Sequence, residues 1–429
     1  MVVGLNYRTA QMAVRERFWI PENRRCETVL QLSTAEGIDE VIVLSTCNRT
    51  EFVMWANDVT LAANSVMRLL GAEYGLKLCE WKHFYRLLDE AALLHIFRVA
   101  SCLDSMVVGA PQIVPQVKEA WQQAQKVGAS GRFLDAVLQK ALAISERVRS
   151  ETAIGKASVS IPSTAVEFAR QIFGTLENKK ILLIGAGEMS ELAASGLLNQ
   201  GSSVRVDVIN RTFENAAELA AKLGGTAIPF EERRQRMAET DIIISSTSCP
   251  HTVLSREEVE TIVGGRKNRP LVIVDLAMPR DVDPAVRHVK GVFLCDLDDL
   301  ENVTDPCADE RKVAAVEAHK IVHDEAQGFR RKLMAERVVP TIVALRLRLD
   351  EICAKELDAF RQENGPFARD QDEMLNAMMS RMTQRIAGSL ARELKELPEK
   401  VQQEQMTTAL QRLFHLQTPE QVVAGTPSA

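Results

Sequence analysis

Residues 181–194 read "ILLIGAGEMSELAA". Four apolar residues, a glycine-containing turn and an alanine-rich stretch describe a buried strand that runs straight into a helix. Gly185 and Gly187 would let the backbone of that turn approach a pyrophosphate, and the helix N-terminus behind it offers free N–H groups and a positive dipole end. The third glycine of the Gly-x-Gly-x-x-Gly fingerprint is Ser190 here, so a tight turn without a ligand is the competing reading. The candidate phosphate loop is Gly185, Ala186, Gly187, Glu188, Met189 and Ser190.

Working outward, "KILLIG", "VRVDVIN", "DIIISST", "LVIVDLA" and "GVFLCD" read as strands. The first three are separated by helical stretches such as "EMSELAASGLLNQG" and "FENAAELAAKLGG". That alternation predicts a doubly wound parallel sheet over 153–300, a Rossmann-type domain. A site for NAD has an acidic residue at the end of the second strand, on the ribose 2′-hydroxyl. This chain has Asn210, Arg211 and Thr212 there. An arginine suits a 2′-phosphate, so the expected cofactor is NADPH; a solvated turn arginine is the alternative.

Residues 1–152 look like a mixed α/β domain. "MVVGLN", "EVIVLST" and "TEFVMWA" read as strands, with a helix in "CETVLQLSTAEG". From Asp89 the pattern turns helical, through "EAALLHIFRVASCLDSM" and on into two further helices. Within this domain "VIVLSTCNRTEFV", residues 41–53, carries a thiol to the end of a strand and surrounds it with Thr46, Asn48 and Arg49. A core cysteine packs as a small hydrophobe. Cys47, with polar neighbours and a fixed positive charge that favours thiolate, has the setting of a nucleophile. Beside a nicotinamide site, such a thiolate would attack an activated acyl group and the thioester would be reduced to an aldehyde. Arg49 could also fork onto a substrate carboxylate. His95 is either a satisfied core group or a proton-transfer group near the acyl centre. The Gly-x-Pro turn at 109–111, flanked by Ser105, Gln112 and Gln116, is either a polar loop or part of the site.

Beyond residue 300 strands disappear. Ile342, Leu345, Leu349 and Ile352 recur at three- and four-residue steps, an apolar seam of the kind that pairs helices, so 301–429 reads as an all-α domain that joins a second subunit. Pro340 marks a kink or join, "NGP" at 364–366 a break, and "TPEQVVAGTPSA" a frayed end.

The 429 residues, 46% apolar and 26% charged, are enough for two or three globular domains. A net charge of −6 gives no global case for nucleic-acid binding, so contact with RNA would need local basic patches. Eight scattered cysteines without a Cys-x-x-Cys pair suggest neither zinc nor disulfides, and no metal site is expected. No apolar run approaches the roughly 18–20 residues that span a bilayer, and the start "MVVGLNYRTA" lacks a signal-peptide pattern, so a cytoplasmic protein is expected.

Taken together, "VGLNYRTA" with "VRERF", "LSTCNRTE", "HIFRVASCLDSMVVG", "APQIVPQVKEA", "LLIGAGEMSELAA", "VINRT", "SSTSCPH" and "VDLAMPRDVDP" resemble the glutamyl-tRNA reductase family along most of the chain. The resemblance implies NADPH-dependent reduction of glutamyl-tRNA(Glu) to glutamate-1-semialdehyde with release of tRNA, the first step of tetrapyrrole synthesis from glutamate. It implies Cys47 as the nucleophile and His95 as a residue important for activity. Thr46, Asn48, Arg49, Ser105, Gln116 and the stretch Ala110, Pro111, Gln112 would be substrate contacts. The implied fold is a ferredoxin-like α+β catalytic domain, a Rossmann domain and a helical dimerisation domain on a long spinal helix, in a V-shaped homodimer. Direct transfer of the reactive aldehyde to an aminomutase is a plausible partnership. The chain departs from the family at Ala110, where a glutamate is usual, and at Tyr7, Gln11 and Pro115. Two other functions fit parts of the sequence: a shikimate- or quinate-type NADP dehydrogenase, and a non-catalytic tRNA-binding homologue.

Overall fold

Alternating strands and helices of the first 87 residues close into a small antiparallel sheet. The computed structural model describes residues 1–155, 161–198, 205–266, 269–302, 308–397 and 400–416. The strands β1 (Val2–Asn6), β2 (Ile38–Ser45), β3 (Arg49–Ala56) and β4 (Tyr85–Leu87) lie in the order β2-β3-β1-β4, every pairing antiparallel. Helices α1 (Met12–Phe18) and α2 (Glu22–Ser33) connect β1 to β2, and α3 (Val59–Tyr74) follows β3. This β-α-β-β-α-β order is the expected ferredoxin-like one. Helix α3 is fixed at both ends. The Asp58 carboxylate accepts the N–H groups of Thr60 and Leu61, and Gly75 closes the helix in the left-handed conformation.

Three helices, α4 (Asp89–Ala100), α5 (Ile113–Lys126) and α6 (Arg132–Glu151), complete this half. Helical pattern was expected to run on to Met106, but α4 stops at Ala100. Cys102 takes a positive φ of 59°. Its N–H bonds the Val99 carbonyl and that of Leu103 the Arg98 carbonyl, the paired closure of a Schellman motif. That stop turns Asp104 and Ser105 inward rather than along a helix. The three-residue strand β4 was also missed.

After α7 (Ile161–Phe173), six parallel strands form the second sheet: β5 (Lys180–Ile184), β6 (Arg205–Ile209), β7 (Thr226–Ile228), β8 (Ile242–Ser245), β9 (Leu271–Asp275) and β10 (Val292–Cys295). Their order is β10-β9-β8-β5-β6-β7, so the chain starts in the middle, winds to one edge and returns to the other. All five expected strands are present, and β7 is an addition too short to show in the pattern. Helices α8 (Glu188–Leu198), α9 (Phe213–Leu223), α10 (Arg233–Glu239) and α11 (Arg256–Gly264) flank the sheet. The order reverses between β5 and β8, which puts a crevice at the carboxyl ends of those strands.

Both sheets belong to one compact unit, Met1–Asp324. Within it α1 is pinned to the parallel-sheet half. The Glu16 carboxylate accepts from the Arg280 backbone N–H (2.7 Å), Nε (2.9 Å) and Nη2 (2.6 Å), while Arg15 Nη2 and the Met12 N–H both reach Asp298 (2.6 and 3.0 Å).

The second compact unit, from Glu325 onward, is helical. The long α12 (Ala308–Arg337) leads to α13 (Val339–Asn364), where Pro340 occupies the first turn and its missing N–H costs no hydrogen bond. Helix α14 (Arg369–Glu396) returns antiparallel to α13, and α15 (Lys400–Leu413) packs beside both. Val338 meets Leu394, Leu345 and Leu349 meet Ala387, and Arg361 pairs with Asp372 across the turn at 2.7 Å. Of the expected seam, Leu345 and Leu349 are buried, whereas Ile352 is exposed. The 418–429 tail lies outside the described residues.

Leu345 is fully buried in a small cluster. Leu345→Ala should lower the stability of the helical unit by about 2–5 kcal/mol, and Leu345→Met by less than about 1.5 kcal/mol, read from urea midpoints followed by circular dichroism.

Candidate active site

Between β2 and β3 the chain makes a tight turn. The Thr46 N–H bonds the Arg49 carbonyl (2.8 Å), the Asn48 N–H bonds Thr46 Oγ1 (3.2 Å), and the Asn48 carbonyl accepts from the Tyr7 N–H (3.0 Å). Cys47 sits at the apex, half-buried, on a cleft of about 370 Å³. Thr46, Asn48, Arg49, Ser105, Ala110, Gln112 and Gln116 line the same cleft, as expected from the sequence. Pro111 and His95 do not.

The opposite wall comes from the parallel-sheet half: Met189, Ser248, Leu276 and Met278. Ser248 also lines a second cleft of about 540 Å³ at the carboxyl ends of β5, β6 and β8, with Gly185, Ala186, Gly187, Asn210, Arg211 and Thr212. The two clefts therefore share a wall. Of the candidate phosphate loop, Glu188 points to solvent, Met189 faces the thiol cleft and Ser190 is fully buried under α8, so these three are not in the nucleotide cleft. Ser190 packs where the fingerprint's third glycine lets helix and strand approach.

The crevice has the shape a dinucleotide requires. Gly185 has φ +102°, and a Cβ there would run into the Ser246 carbonyl, so the turn is open only because the residue is glycine. Arg211 is exposed, and no carboxylate pairs with it among the described residues. The loop after β8, which forms the shared wall, is held by Asp281. Its carboxylate accepts from Ser245 Oγ (2.7 Å), the Thr247 N–H (2.8 Å) and the Thr247 hydroxyl. Sequence reading had not singled out Asp281.

Arg49 differs most from expectation. Its side chain is 1% exposed, and it donates to Glu51 Oε1 (2.7 Å), Asp104 Oδ2 (3.3 Å) and the Asp104 carbonyl. The guanidinium is the centre of a buried cluster rather than a free cation. Glu51 Oε1 also accepts from Tyr85 Oη (2.5 Å) and from His95 Nε2 (2.9 Å), so His95 is a member of this cluster, behind Arg49, and not a group in the thiol cleft. Burial by itself would raise the Glu51 carboxyl, but Arg49 and His95 hold it at about 2. Cys47 behaves oppositely. Burial pushes its thiol above the ordinary value, opposed by Arg15, whose Nε donates to the Cys47 carbonyl (3.3 Å), and less by Arg49. Arg49, neutralised by two carboxylates, does little for the thiolate.

The fold also brings residues to the cleft that sequence reading passed over. Glu22 and Arg25 of α2 and Glu119 of α5 line it, with Arg25 Nη1 3.7 Å from Glu119 Oε1. Gln112, at the N-cap of α5, and Gln116 and Glu119 within it stand at i, i+4 and i+7, so they share one side of the helix, the signal that spacing alone could have supplied. Asn48 Oδ1 and Gln112 Oε1 are buried in the cleft without a donor.

Residues 3–152 match the family described as "Glutamyl-tRNAGlu reductase, N-terminal domain", 167–303 match "Shikimate / quinate 5-dehydrogenase", and 317–416 match "Glutamyl-tRNAGlu reductase, dimerisation domain". Glutamyl-tRNA reductase 2 of Koribacter versatilis is 38% identical over 100% of this chain and 98% of its own length. Glutamyl-tRNA reductase of Desulforudis audaxviator is 40% identical over 97% of this chain and 93% of its own. The solved structure of glutamyl-tRNA reductase from Methanopyrus kandleri superposes with a TM-score of 0.51 at 29% identity, covering 97% of this chain and 98% of that one.

A glycine-turned crevice sharing a wall with a thiol cleft is the apparatus of an oxidoreductase that uses a nicotinamide cofactor. The dehydrogenase-like match covers only the nucleotide segment, while the segments before and after it carry a narrower signature. The chain belongs to the glutamyl-tRNA reductase family.

Glu51 titrates at about 2 against an ordinary 4.5, so its stabilising contribution is complete above pH 4.5 and is lost as pH falls toward 2. Glu51→Gln should cost about 3 kcal/mol at neutral pH, because one of Arg49's two buried counter-charges is gone. The difference from the native chain should begin to narrow as pH falls below about 4.5 and close as it approaches 2, read by denaturant unfolding at several pH values.

Proposed function

We propose that the chain reduces the glutamyl group of glutamyl-tRNA(Glu) with NADPH, through a thioester on Cys47. The observation that carries this reading is the single cleft in which Cys47 faces Met189 and Ser248, the latter also lining the dinucleotide crevice. A thiol and a nicotinamide ring are both needed at one carbon, and this wall is where they would meet.

Cys47 Sγ, as thiolate, attacks the ester carbonyl. The bond to the tRNA 3′ oxygen breaks, that oxygen takes a proton, and free tRNA leaves. NADPH bound in the crevice supplies a hydride to acyl chemistry of this kind. Reduction breaks the C–S bond, Cys47 leaves as the thiolate with which it began, and glutamate-1-semialdehyde is released. An aminoacyl ester is already activated, so the acyl transfer needs no nucleoside triphosphate. Of this chain's groups, Asn48 Oδ1 and Gln112 Oε1, both unpartnered, suit the glutamyl ammonium. The glutamyl carboxylate meets two guanidiniums, Arg25 and Arg49, and Arg49 would trade Asp104 for it. Residues Gly185, Ala186 and Gly187 would hold the pyrophosphate, and Arg211 the 2′-phosphate that distinguishes NADPH. His95 would act by positioning Glu51 and, through it, Arg49.

The aldehyde is reactive, so handover to an aminomutase fits its chemistry. The helical unit leaves Val343, Leu347, Met374, Met378 and Ile386 between 44% and 74% exposed, an apolar surface that a homodimer would cover. A simple shikimate-type dehydrogenase accounts for the nucleotide half but has no use for the thiol.

Cys47→Ser separates the readings. With glutamyl-tRNA and no NADPH, the native chain should gain one glutamyl group on the peptide holding Cys47 by mass spectrometry. The variant should gain none and lose reductase activity; retained activity would refute the thioester route. Arg211→Ala should raise the KM for NADPH by about 10- to 100-fold, the value of a charge-assisted contact, and leave that for NADH unchanged.

A further inference from the structure

Bordering the buried cluster at His95, Tyr85 and Asp104, and sharing no lining residue with the thiol cleft, lies a cavity of about 560 Å³ that the proposed reaction does not use. Its polar wall carries two guanidiniums. Arg8, from the loop after β1, and Arg98, from α4, face it together with His95 and with His319 of α12. The one carboxylate lining it is Asp104, which is already shared. Its Oδ1 is 3.2 Å from Arg8 Nη2, and its Oδ2 lies 3.3 Å from Arg49 and 3.8 Å from His95 Nδ1.

Two nitrogens in this wall, Arg98 Nε and His319 Nδ1, are buried without a hydrogen-bond partner. Arg98 Nε is a fixed donor and His319 Nδ1 donates in one neutral tautomer; an orphaned buried donor is costly and rare, and in a cavity wall it marks where an acceptor belongs. The two guanidiniums lie close enough to lower the basicity of His319, after burial itself, while Asp104 opposes them. Arg8 and Arg98 therefore converge with a neutral His319 on one volume whose single lining carboxylate, Asp104, is already shared with Arg49.

We infer that this cavity binds a compact oxyanion of two or more negative charges, held between Arg98, Arg8 and His319. Phosphate and small polycarboxylates share that chemistry. Planar guanidinium groups suit either, and the volume admits both. The inference goes beyond the reaction at Cys47 and does not depend on it, since none of the three residues lines that cleft.

The test is isothermal titration of the full-length protein with inorganic phosphate, pyrophosphate and citrate in separate arms, at constant ionic strength, with chloride as the control. One saturable site per chain is expected for at least one of the three, and the arm that responds identifies the class. Arg98→Gln should weaken that binding at least about tenfold, the loss of one charge-assisted contact. His319→Glu places a carboxylate where the anion would sit. It should abolish binding and raise the melting temperature, an outcome that misfolding cannot mimic. Absence of saturable heat in all three arms, or binding left intact by His319→Glu, overturns the proposal.

Discussion

Arg49 is an ion with almost no access to water, and much of the catalytic half is arranged around that fact. Leaving such a charge unpaired inside a protein costs several kcal/mol, and excellent geometry with extra hydrogen bonds is needed to offset it. Here the offset is two carboxylates, Glu51 on the same strand and Asp104 from the turn after α4, with Tyr85 and His95 bonded to Glu51 in turn. The four elements that contribute these groups, β3, β4, α4 and the 101–112 turn, are thereby tied to one point. The turn bearing Cys47 is the other end of the Arg49 backbone, through the bond from the Thr46 N–H to the Arg49 carbonyl. A buried charge thus fixes where the thiol stands.

The second constraint is how the thiol comes to face a nucleotide crevice in another half of the molecule. Helix α1 is short, and its polar residues are almost all engaged. Glu16 holds Arg280 through three contacts, and Arg15 divides its guanidinium between Asp298 and the carbonyls of Ala10 and Cys47. Arg15 is therefore in contact at once with the backbone of Cys47 and with the half that holds the crevice. The Glu16–Arg280 pair is worth more than a surface ion pair because both partners are largely shielded, while Arg15, 2% exposed, meets an Asp298 that still reaches water. The loop after β8 meets the thiol from the other side and is held by Asp281.

Sequence pattern revealed what depends on local periodicity and left obscure what depends on distant partners. Long apolar runs such as "ILLIG" and "VIVLS" identify strands whatever surrounds them, and the Gly185 turn is legible because only glycine fits. β4 and β7 have three residues each, too few for any period to show. The end of α4 carries no glycine or proline, since Cys102 adopts the left-handed conformation that usually signals one, and so the stop was invisible. Within the site, Thr46, Asn48, Ser105 and Gln116 were readable because they flank the thiol or share a motif. Arg49 was misjudged for a single reason: Glu51 is two residues away and on the same strand face, but Asp104 is 55 residues away. Nothing in one sequence says that those carboxylates converge. Arg25 and Glu119 were missed likewise, because α2 and α5 become neighbours only in the fold.

The departure at Ala110 acquires a physical meaning in this setting. Ala110 lies on the thiol cleft and is 6% exposed, so a carboxylate at that position would stand against the cleft's inner wall. Its absence does not make the cleft neutral, because Glu22 and Glu119 line the same space from α2 and α5. Glu119 is half-engaged. It accepts from Gln123 at 2.8 Å and stands 3.7 Å from Arg25, a loose pair that an incoming zwitterion can replace charge for charge. An amino acid ester brings an ammonium and a side-chain carboxylate, and Glu119 and Arg25 present the complementary pair. Solvated ion pairs of this looseness contribute little to stability, so exchanging one costs little. The cleft thus keeps both signs of charge, with the negative one on the neighbouring helices rather than on the 109–112 turn.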